Sequence, residues 1–166
     1  SYAVDLSKEL FSYFQFAGQV FVEKWEEKEY IARYDNEEVS FNLHGQLDAI
    51  LLDDKFARIF DYKTTEAKSV ANIKGETKDS DGNYFRQLVF YKFLLMGNHN
   101  YRDKHIEPAL IFVKPNASHK CPTIVLPIEE SDLENIKNEI DSLVESVWSG
   151  NFLKGNCGDK DCEYCR

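Results

Sequence analysis

The chain has 166 residues, of which 43% are hydrophobic and 14% aromatic, so we expect one globular domain with its own core and exclude a disordered chain. No apolar run approaches the roughly 18 residues that a membrane-spanning helix needs, and no signal-peptide pattern is present, so we expect a cytoplasmic protein without a membrane partner. The net charge of −9 argues against a protein that grips an anionic polymer tightly by charge alone.

The first third of the sequence predicts a helix followed by strands. Residues 5–24 carry apolar side chains at three- and four-residue steps, as an amphipathic helix does: Leu6, Leu10, Phe14, Ala17, Phe21 and, just beyond, Trp25. Residues 28–34 alternate as a strand, and residues 39–43 lead into the next one. The only methionine is Met96, so we interpret the chain as a domain of a larger protein.

Residues 44–65 predict two β-strands joined by a short polar turn. If that turn is the two-residue kind centred on Asp54-Lys55, Asp48 lies directly opposite Asp61. Lys63 follows Asp61 by two residues and therefore shares its face of the strand. The same register pairs Ile50 with Ile59 and Leu52 with Ala57, so this face is an apolar floor with two carboxylates and one ammonium.

Two carboxylates at this separation repel each other, and burying them requires a cation between them. Lys63 supplies one positive charge, and a hard divalent cation with oxygen ligands would supply more. A surface hairpin with its charges in water is the alternative. The apolar residues on the second face favour a central hairpin covered on both sides: Ala49, Leu51, Phe60 and Tyr62.

The middle of the chain predicts a polar segment and then a buried helix. Residues 64–83 are lysine-rich and lack periodicity, which indicates either an exposed loop or a flap that closes on a nucleic-acid backbone. The helix should begin at residues 81–83, end near Met96 and be stopped by Gly97. Gln87 and Tyr91 lie four residues apart on one side of it, a spacing that by itself indicates packing with a hydrogen bond.

The last third predicts two buried strands, a helix and a cysteine-containing tail. The strands span residues 108–113 and 123–128, and Ser131-x-x-Glu134 is a capping box for a helix that ends at Gly150. Three cysteines within nine residues follow, at a spacing that suits zinc or an iron–sulfur cluster: Cys157, Cys162 and Cys165. Free thiols in the tail are the alternative, since disulfides are not expected without an export signal.

Three motifs in this order, Gly45-x-x-Asp48, Asp61-Tyr62-Lys63-Thr64 and Gln87-x-x-x-Tyr91, resemble the PD-(D/E)XK nuclease superfamily. The most similar branch is the RecB-like one, found fused to bacterial helicases and in CRISPR adaptation nucleases. The resemblance implies an α/β restriction-endonuclease-like sandwich, with a central mixed β-sheet flanked by helices, over residues 1–150. Residues 151–166 would form a separate C-terminal tail.

By this resemblance the protein is a Mg²⁺- or Mn²⁺-dependent deoxyribonuclease, an exonuclease rather than an endonuclease, served by a helicase domain or subunit of a DNA-repair parent protein. The site residues implied are the metal ligands Asp48, Asp61 and the Tyr62 carbonyl, the catalytic Lys63, the supporting Gln87 and Tyr91, and the DNA-binding Lys68 and Arg86. The branch often ends in cysteines that close a 4Fe–4S cluster with a fourth cysteine far upstream. Here the one upstream cysteine is Cys121, which lies before a predicted strand, where the pattern does not place a ligand.

The RecB-like branch usually takes a further metal ligand, a histidine, from a preceding helix. No histidine precedes His44 in this chain, although Glu23 and Glu29 are acids nearby. Two alternatives to an active nuclease stay open: an inactive nuclease fold that binds DNA or a partner protein, and a cysteine-based metal or redox protein.

Overall fold

The computed structural model describes residues 18–116, 118 and 120–153, which form a five-stranded mixed sheet with helices packed against it. The strands are β1 (Gln19–Tyr34), β2 (Glu37–Leu52), β3 (Phe56–Lys63), β4 (His105–Phe112) and β5 (Thr123–Val125), and they lie in the sheet in chain order. The helices are α1 (Val70–Ile73), α2 (Asn83–Leu95) and α3 (Glu130–Trp148), and a 3₁₀ turn (Asn151–Leu153) follows. Only β3 and β4 are parallel; the other neighbours are antiparallel. The α/β mixed-sheet prediction is confirmed.

Residues 19–24 belong to strand β1, so the predicted helix over residues 5–24 is wrong there, and residues 5–17 lie outside the described part of the chain. Phe21 and Trp25 are four residues apart, a step that fits two strand repeats as well as one helical turn. Residues 19–24 form a strand and not a helix because β2 pairs with β1 along nearly its whole length. Asp35 and Asn36, both at positive φ (51° and 65°), close this hairpin with a primed turn.

The β2–β3 register agrees with the prediction from the turn as far as Ala49 and Phe60, and the ladder ends one pair short of Asp48 and Asp61. Ile50 pairs with Ile59 and Leu52 with Ala57, on either side of a two-residue turn. Asp53 fixes that turn, because its Oδ1 accepts hydrogen bonds from the backbone N–H groups of Lys55 and Phe56, at 2.8 and 2.7 Å.

Strand β2 is distorted at Asp48. In the β1–β2 ladder the pairing skips Asp48 and the residue opposite it, Glu23, whose φ is +48°. The register is the same before and after this gap, so no residue is inserted, but the alternation of side chains along β2 shifts there. As a result Leu47 and Ile50 lie in one core cluster, whereas Ala49 belongs to the cluster on the opposite face. The strict alternation expected over residues 44–52 therefore fails at the position of the candidate ligand.

Both faces of the central hairpin are covered, as predicted. On one face, Ile50 and Ile59 pack against Tyr91, Leu94 and Leu95 of α2. On the other, a cluster of five residues is at most 2% exposed: Ala49, Leu51, Phe60, Ala109 and Ile111. Among the described residues, no helix is both long enough and apolar enough to cross a membrane.

Helix α2 begins and ends where the sequence predicts, between Gly82 and Gly97, both of which have positive φ. Lys28 of β1 donates a hydrogen bond to the carbonyl of Met96 and so satisfies one open acceptor at the helix end. Helix α3 is capped by Glu129 and Asp132, not by the predicted Ser131 and Glu134. The cap lies two residues earlier because Glu129 is the residue with extended backbone geometry before the first turn.

The segment between β3 and α2 is folded rather than a plain loop. Ser69 caps the short helix α1 through the N–H of Asn72, and Ile73 is 1% exposed. Gly75 and Gly82 touch so closely that a Cβ on Gly75 would lie 3.0 Å from the backbone of Gly82. A single buried residue and two glycines in contact therefore hold this segment against α2.

Candidate functional site

Asp61 is the most buried carboxylate of the β2–β3 hairpin, at 3% exposure. Its Oδ2 lies 2.6 Å from Lys63 Nζ, an ion-pair distance, but the ammonium approaches outside hydrogen-bond geometry, so Oδ2 accepts no hydrogen bond. Burial raises the pKa of Asp61 above its ordinary value, Lys63 opposes that rise, and the neighbouring charge of Asp48 adds to it. This carboxylate is therefore desolvated and only partly compensated.

Asp48 lies at the point where β2 and β3 separate. The last ladder pair on this side is Ala49 with Phe60, and beyond it the backbone N–H of Tyr62 donates to Asp48 Oδ2 at 2.8 Å. A carboxylate thus takes the place of the main-chain acceptor that a continuous ladder would supply. Asp48 also raises the pKa of the Tyr62 hydroxyl, although burial is the larger cause.

A chain of hydrogen bonds connects Lys63 to helix α2. Lys63 Nζ donates to Gln87 Oε1 at 2.6 Å, Gln87 Nε2 donates to Tyr91 Oη at 2.8 Å, and Tyr91 Oη donates to the carbonyl of Gln46 at 3.3 Å. Burial raises the pKa of Tyr91, and the charges of Asp61 and Asp48 add to the rise. The structure therefore brings together Asp48, Asp61, Lys63, Gln87 and Tyr91.

Tyr84 is a site neighbour that the sequence reasoning missed. Lys63 Nζ and Lys68 Nζ each lie 4.6 Å from the centroid of its ring, and its hydroxyl is 3.2 Å from Thr65 Oγ1. The available signal was its spacing, because Tyr84 precedes Gln87 by three residues and so shares its side of the helix.

Arg86 does not belong to this group. Arg86 Nε pairs with Glu139 Oε2 of α3 at 3.2 Å, and its Nη1 donates to Asn83. Cys157, Cys162 and Cys165 lie outside the described residues. Cys121 is buried, with its Sγ 3.6 Å from the carbonyl of Val113.

The donor set suits a hard divalent cation. Within the described residues no group of three or more His, Cys, Asp or Glu side chains is arranged to bind a metal, so the site offers two carboxylates. Mg²⁺ is commonly held by one or two carboxylates together with water and substrate phosphate oxygens. The buried Oδ2 of Asp61, which accepts no hydrogen bond, is a ligand atom available for such an ion.

Comparisons with known proteins identify the family. A family model described as the PD-(D/E)XK nuclease superfamily matches residues 6–166. No curated protein sequence matches significantly. The crystal structure of SSO0001 is similar at 16% identity with a TM-score of 0.46, over 98% of this chain and 64% of that one, so the chain spans less than two thirds of that protein. The chain belongs to the PD-(D/E)XK nuclease superfamily, whose members as a rule use Mg²⁺ or Mn²⁺.

Proposed function

We propose that this domain hydrolyses phosphodiester bonds of DNA at Asp48, Asp61 and Lys63, with Mg²⁺ or Mn²⁺ as cofactor. One observation carries the proposal: a carboxylate oxygen of Asp61 that is buried, accepts no hydrogen bond and lies next to a second carboxylate. The single ammonium of Lys63, 2.6 Å from that oxygen, balances only one of the two carboxylates, and a second cation would balance the other.

Asp48, Asp61 and the backbone carbonyl of Tyr62 would hold the cation. The Tyr62 N–H is directed at Asp48. In a strand the N–H and C=O of one residue point to the same side, which supports the carbonyl as a ligand at the gap between β2 and β3. When bound, the cation would lower the pKa of a water molecule and neutralise charge on the phosphate.

Lys63 would orient the attacking water and stabilise the negative charge that develops on the phosphate. An ammonium has three donors. One is donated to Gln87 Oε1 at 2.6 Å, and none is donated to Asp61 Oδ2, which lies 2.6 Å from Nζ outside hydrogen-bond geometry, so donors remain for a water or a phosphate oxygen. A charge fixed in this way needs no reorganisation during the reaction.

Gln87 and Tyr91 would support this arrangement by holding the Lys63 ammonium relative to β2. Lys68 would contact a phosphate, a role supported by its place beside Lys63 on the Tyr84 ring. The DNA-binding role of Arg86 rests on the sequence alone, since its guanidinium is engaged by Glu139.

We further propose that the domain is a RecB-like exonuclease domain of a DNA-repair helicase–nuclease. The order of the three motifs supports it, and a helicase that delivers a strand would explain how a domain of net charge −9 obtains its substrate. A 4Fe–4S cluster or Zn²⁺ at Cys157, Cys162 and Cys165 in the full-length protein is part of the same proposal. Absorbance near 400 nm in the full-length protein would identify the cluster.

Replacement of Asp61 by Asn tests the proposal. Asn keeps the shape and removes the charge, so we expect Asp61→Asn to abolish Mn²⁺ binding measured by calorimetry and DNA cleavage measured on gels. Asp54→Asn, an exposed change in the turn of the same hairpin, is the matched control and should cleave as the parent does.

Two outcomes would contradict the proposal in different ways. Cleavage by Asp61→Asn at the parental rate would exclude this site. Mn²⁺ binding without cleavage of single- or double-stranded DNA by the folded parent protein would favour the inactive module that binds DNA or a partner.

A further inference from the structure

The Tyr84 side chain contacts the last residue of β3, Lys63, and two residues of the segment that follows, Thr65 and Lys68. Both the Lys63 and the Lys68 ammonium groups lie 4.6 Å from the ring centroid, and Thr65 Oγ1 lies 3.2 Å from the hydroxyl. The ring is itself braced by Phe112 of β4, with the centroids 6.3 Å apart. Tyr84 therefore connects the end of β3, the following segment and the sheet.

The two ammonium groups are placed as a pair by this one side chain. Since each lies 4.6 Å from the same centroid, they are at most 9.2 Å apart. Lys63 is balanced by Asp61, whereas within the described residues no carboxylate lies at ion-pair distance from Lys68. The face of an aromatic ring attracts cations but does not neutralise them, so the pair carries an uncompensated positive charge beside the candidate site.

We propose that Tyr84 is a positioning residue of the nuclease site, which directs Lys63 at Asp61 and Gln87 and holds Lys68 ready for a phosphate of the bound DNA strand. The inference rests on the proposed function of Asp61 and Lys63. It adds a residue that lies outside the three motifs, and it explains how Lys68 is positioned beside the site.

The hydroxyl of Tyr84 has a separate role from the ring. Its contact with Thr65 fixes the segment between the two lysines, whereas the ring contacts the ammonium groups themselves. Tyr84→Phe keeps the ring and loses only the hydroxyl, and Tyr84→Leu loses both. Comparison of the two variants therefore separates the cation–π contacts from the hydrogen bond.

Phe85 provides a matched control on the same helix. Lys74 Nζ lies 5.2 Å from its ring, so Phe85→Leu removes the same kind of contact one residue further along, in a cleft lined by α2, α3 and parts of residues 74–82. Phe85→Leu should melt at a lower temperature and keep the parental kcat. Tyr84→Leu should lose about ten-fold in kcat, and Tyr84→Phe about two-fold or less.

Salt dependence reports on Lys68. With Ca²⁺ in place of the catalytic ion, binding of a fluorescent DNA oligonucleotide should weaken with salt with a slope that is smaller by about one in Lys68→Ala and in Tyr84→Leu than in the parent. A parental kcat or a parental salt slope in Tyr84→Leu would overturn the proposal.

A spectroscopic readout does not depend on activity. Methylene protons over an aromatic ring are shifted upfield, so the Hε resonances of Lys63 and Lys68 should be shifted in the parent and in Tyr84→Phe, and unshifted in Tyr84→Leu. Unshifted Hε resonances in the folded parent overturn the proposal even if Tyr84→Leu does not fold. If the parent cleaves no DNA, the proposed function fails, while these shifts still decide whether Tyr84 holds the two lysines.

Discussion

The β2–β3 hairpin has an aspartate paired with a cation at each end, and the two ends have opposite electrostatics. At the turn, Asp53 accepts hydrogen bonds from two backbone N–H groups and from Arg58 Nη1 at 2.9 Å, which lower its pKa. At the other end, Asp61 is buried, Oδ2 accepts no hydrogen bond, and its pKa is raised. Residue type is the same; burial and the supply of donors differ.

Asp53 carries a structural charge, whereas Asp61 carries the charge that we propose to be functional. The turn cluster is complete in itself, since Arg58 also pairs with Glu107 at 3.1 Å. The Asp61 end is incomplete without a further cation. Perturbed ionisable groups that the fold leaves uncompensated are the ones expected at functional sites.

The largest expected effect is on catalysis. Lys63→Ala should reduce DNA cleavage by about 10²–10⁴-fold, because it removes the fixed positive charge at the phosphate. Lys55→Ala, in the turn of the same hairpin, should cleave as the parent does in the same gel assay. If both variants cleave DNA at the same rate, the two ends of the hairpin do not differ in function.

Bound Mn²⁺ should stabilise the fold through the Asp61 end of the hairpin and not through the Asp53 end. At a Mn²⁺ concentration about 100 times the dissociation constant, the free energy of unfolding should rise by about 2.7 kcal/mol, or about 5–10 °C in Tm. Asp61→Asn should lose this rise and Asp53→Asn should keep it, as measured by thermal melts with and without chelator. A rise in Asp61→Asn equal to that of the parent would show that the ion binds elsewhere.

The two aspartates should give opposite pH dependences of stability in metal-free protein. Because the folded-state pKa of Asp61 is raised from 3.8, its ionisation destabilises the fold as the pH rises above about 4. Asp61→Asn should remove that loss of stability at neutral pH. Asp53, with its lowered pKa, stabilises the fold above about pH 3.8, and this contribution is lost on acidification. Urea melts from pH 3 to 8 test both signs, and slopes of the same sign would contradict the comparison.

The smallest effect concerns the support of Lys63. Tyr91→Phe removes the acceptor of Gln87 Nε2 and the donor to Gln46, so we expect a loss of about 1 kcal/mol in stability and a decrease of a few-fold in kcat. Arg58→Lys at the turn should lose a similar stability, by chemical denaturation, without any change in kcat. A decrease in kcat for Arg58→Lys as large as that for Tyr91→Phe would contradict this distinction.

Patterns among residues close together in the sequence were sufficient to predict the β2–β3 hairpin and helix α2. The turn at Asp54-Lys55 and the apolar residues on both faces determine the β2–β3 register, because a slip of one residue would turn every side chain to the wrong face. Gly82 and Gly97 delimit α2 because both adopt positive φ, where a side chain would be strained. These signals depend on residues close together in the chain.

The predictions that were wrong or missing concern residues whose structure depends on a partner far away in the chain. Residues 19–24 are a strand because β2 offers a ladder to them, and no spacing within the segment records that partner. The distortion at Glu23 and Asp48, where the alternation shifts, also involves both strands of the β1–β2 ladder. Tyr84 was not predicted as a site residue because its partners Lys63 and Lys68 lie 21 and 16 residues earlier in the chain, and a folded segment separates them from it.

The sequence by itself determined the family motifs, the central hairpin and the helix that carries Gln87 and Tyr91, since each is written in residues a few positions apart. Only the tertiary structure decided that Asp61 is buried, that Oδ2 accepts no hydrogen bond, and that Asp48 takes the N–H of Tyr62. The physical reason is that desolvation and hydrogen-bond supply depend on every element packed around a group, which no local pattern encodes.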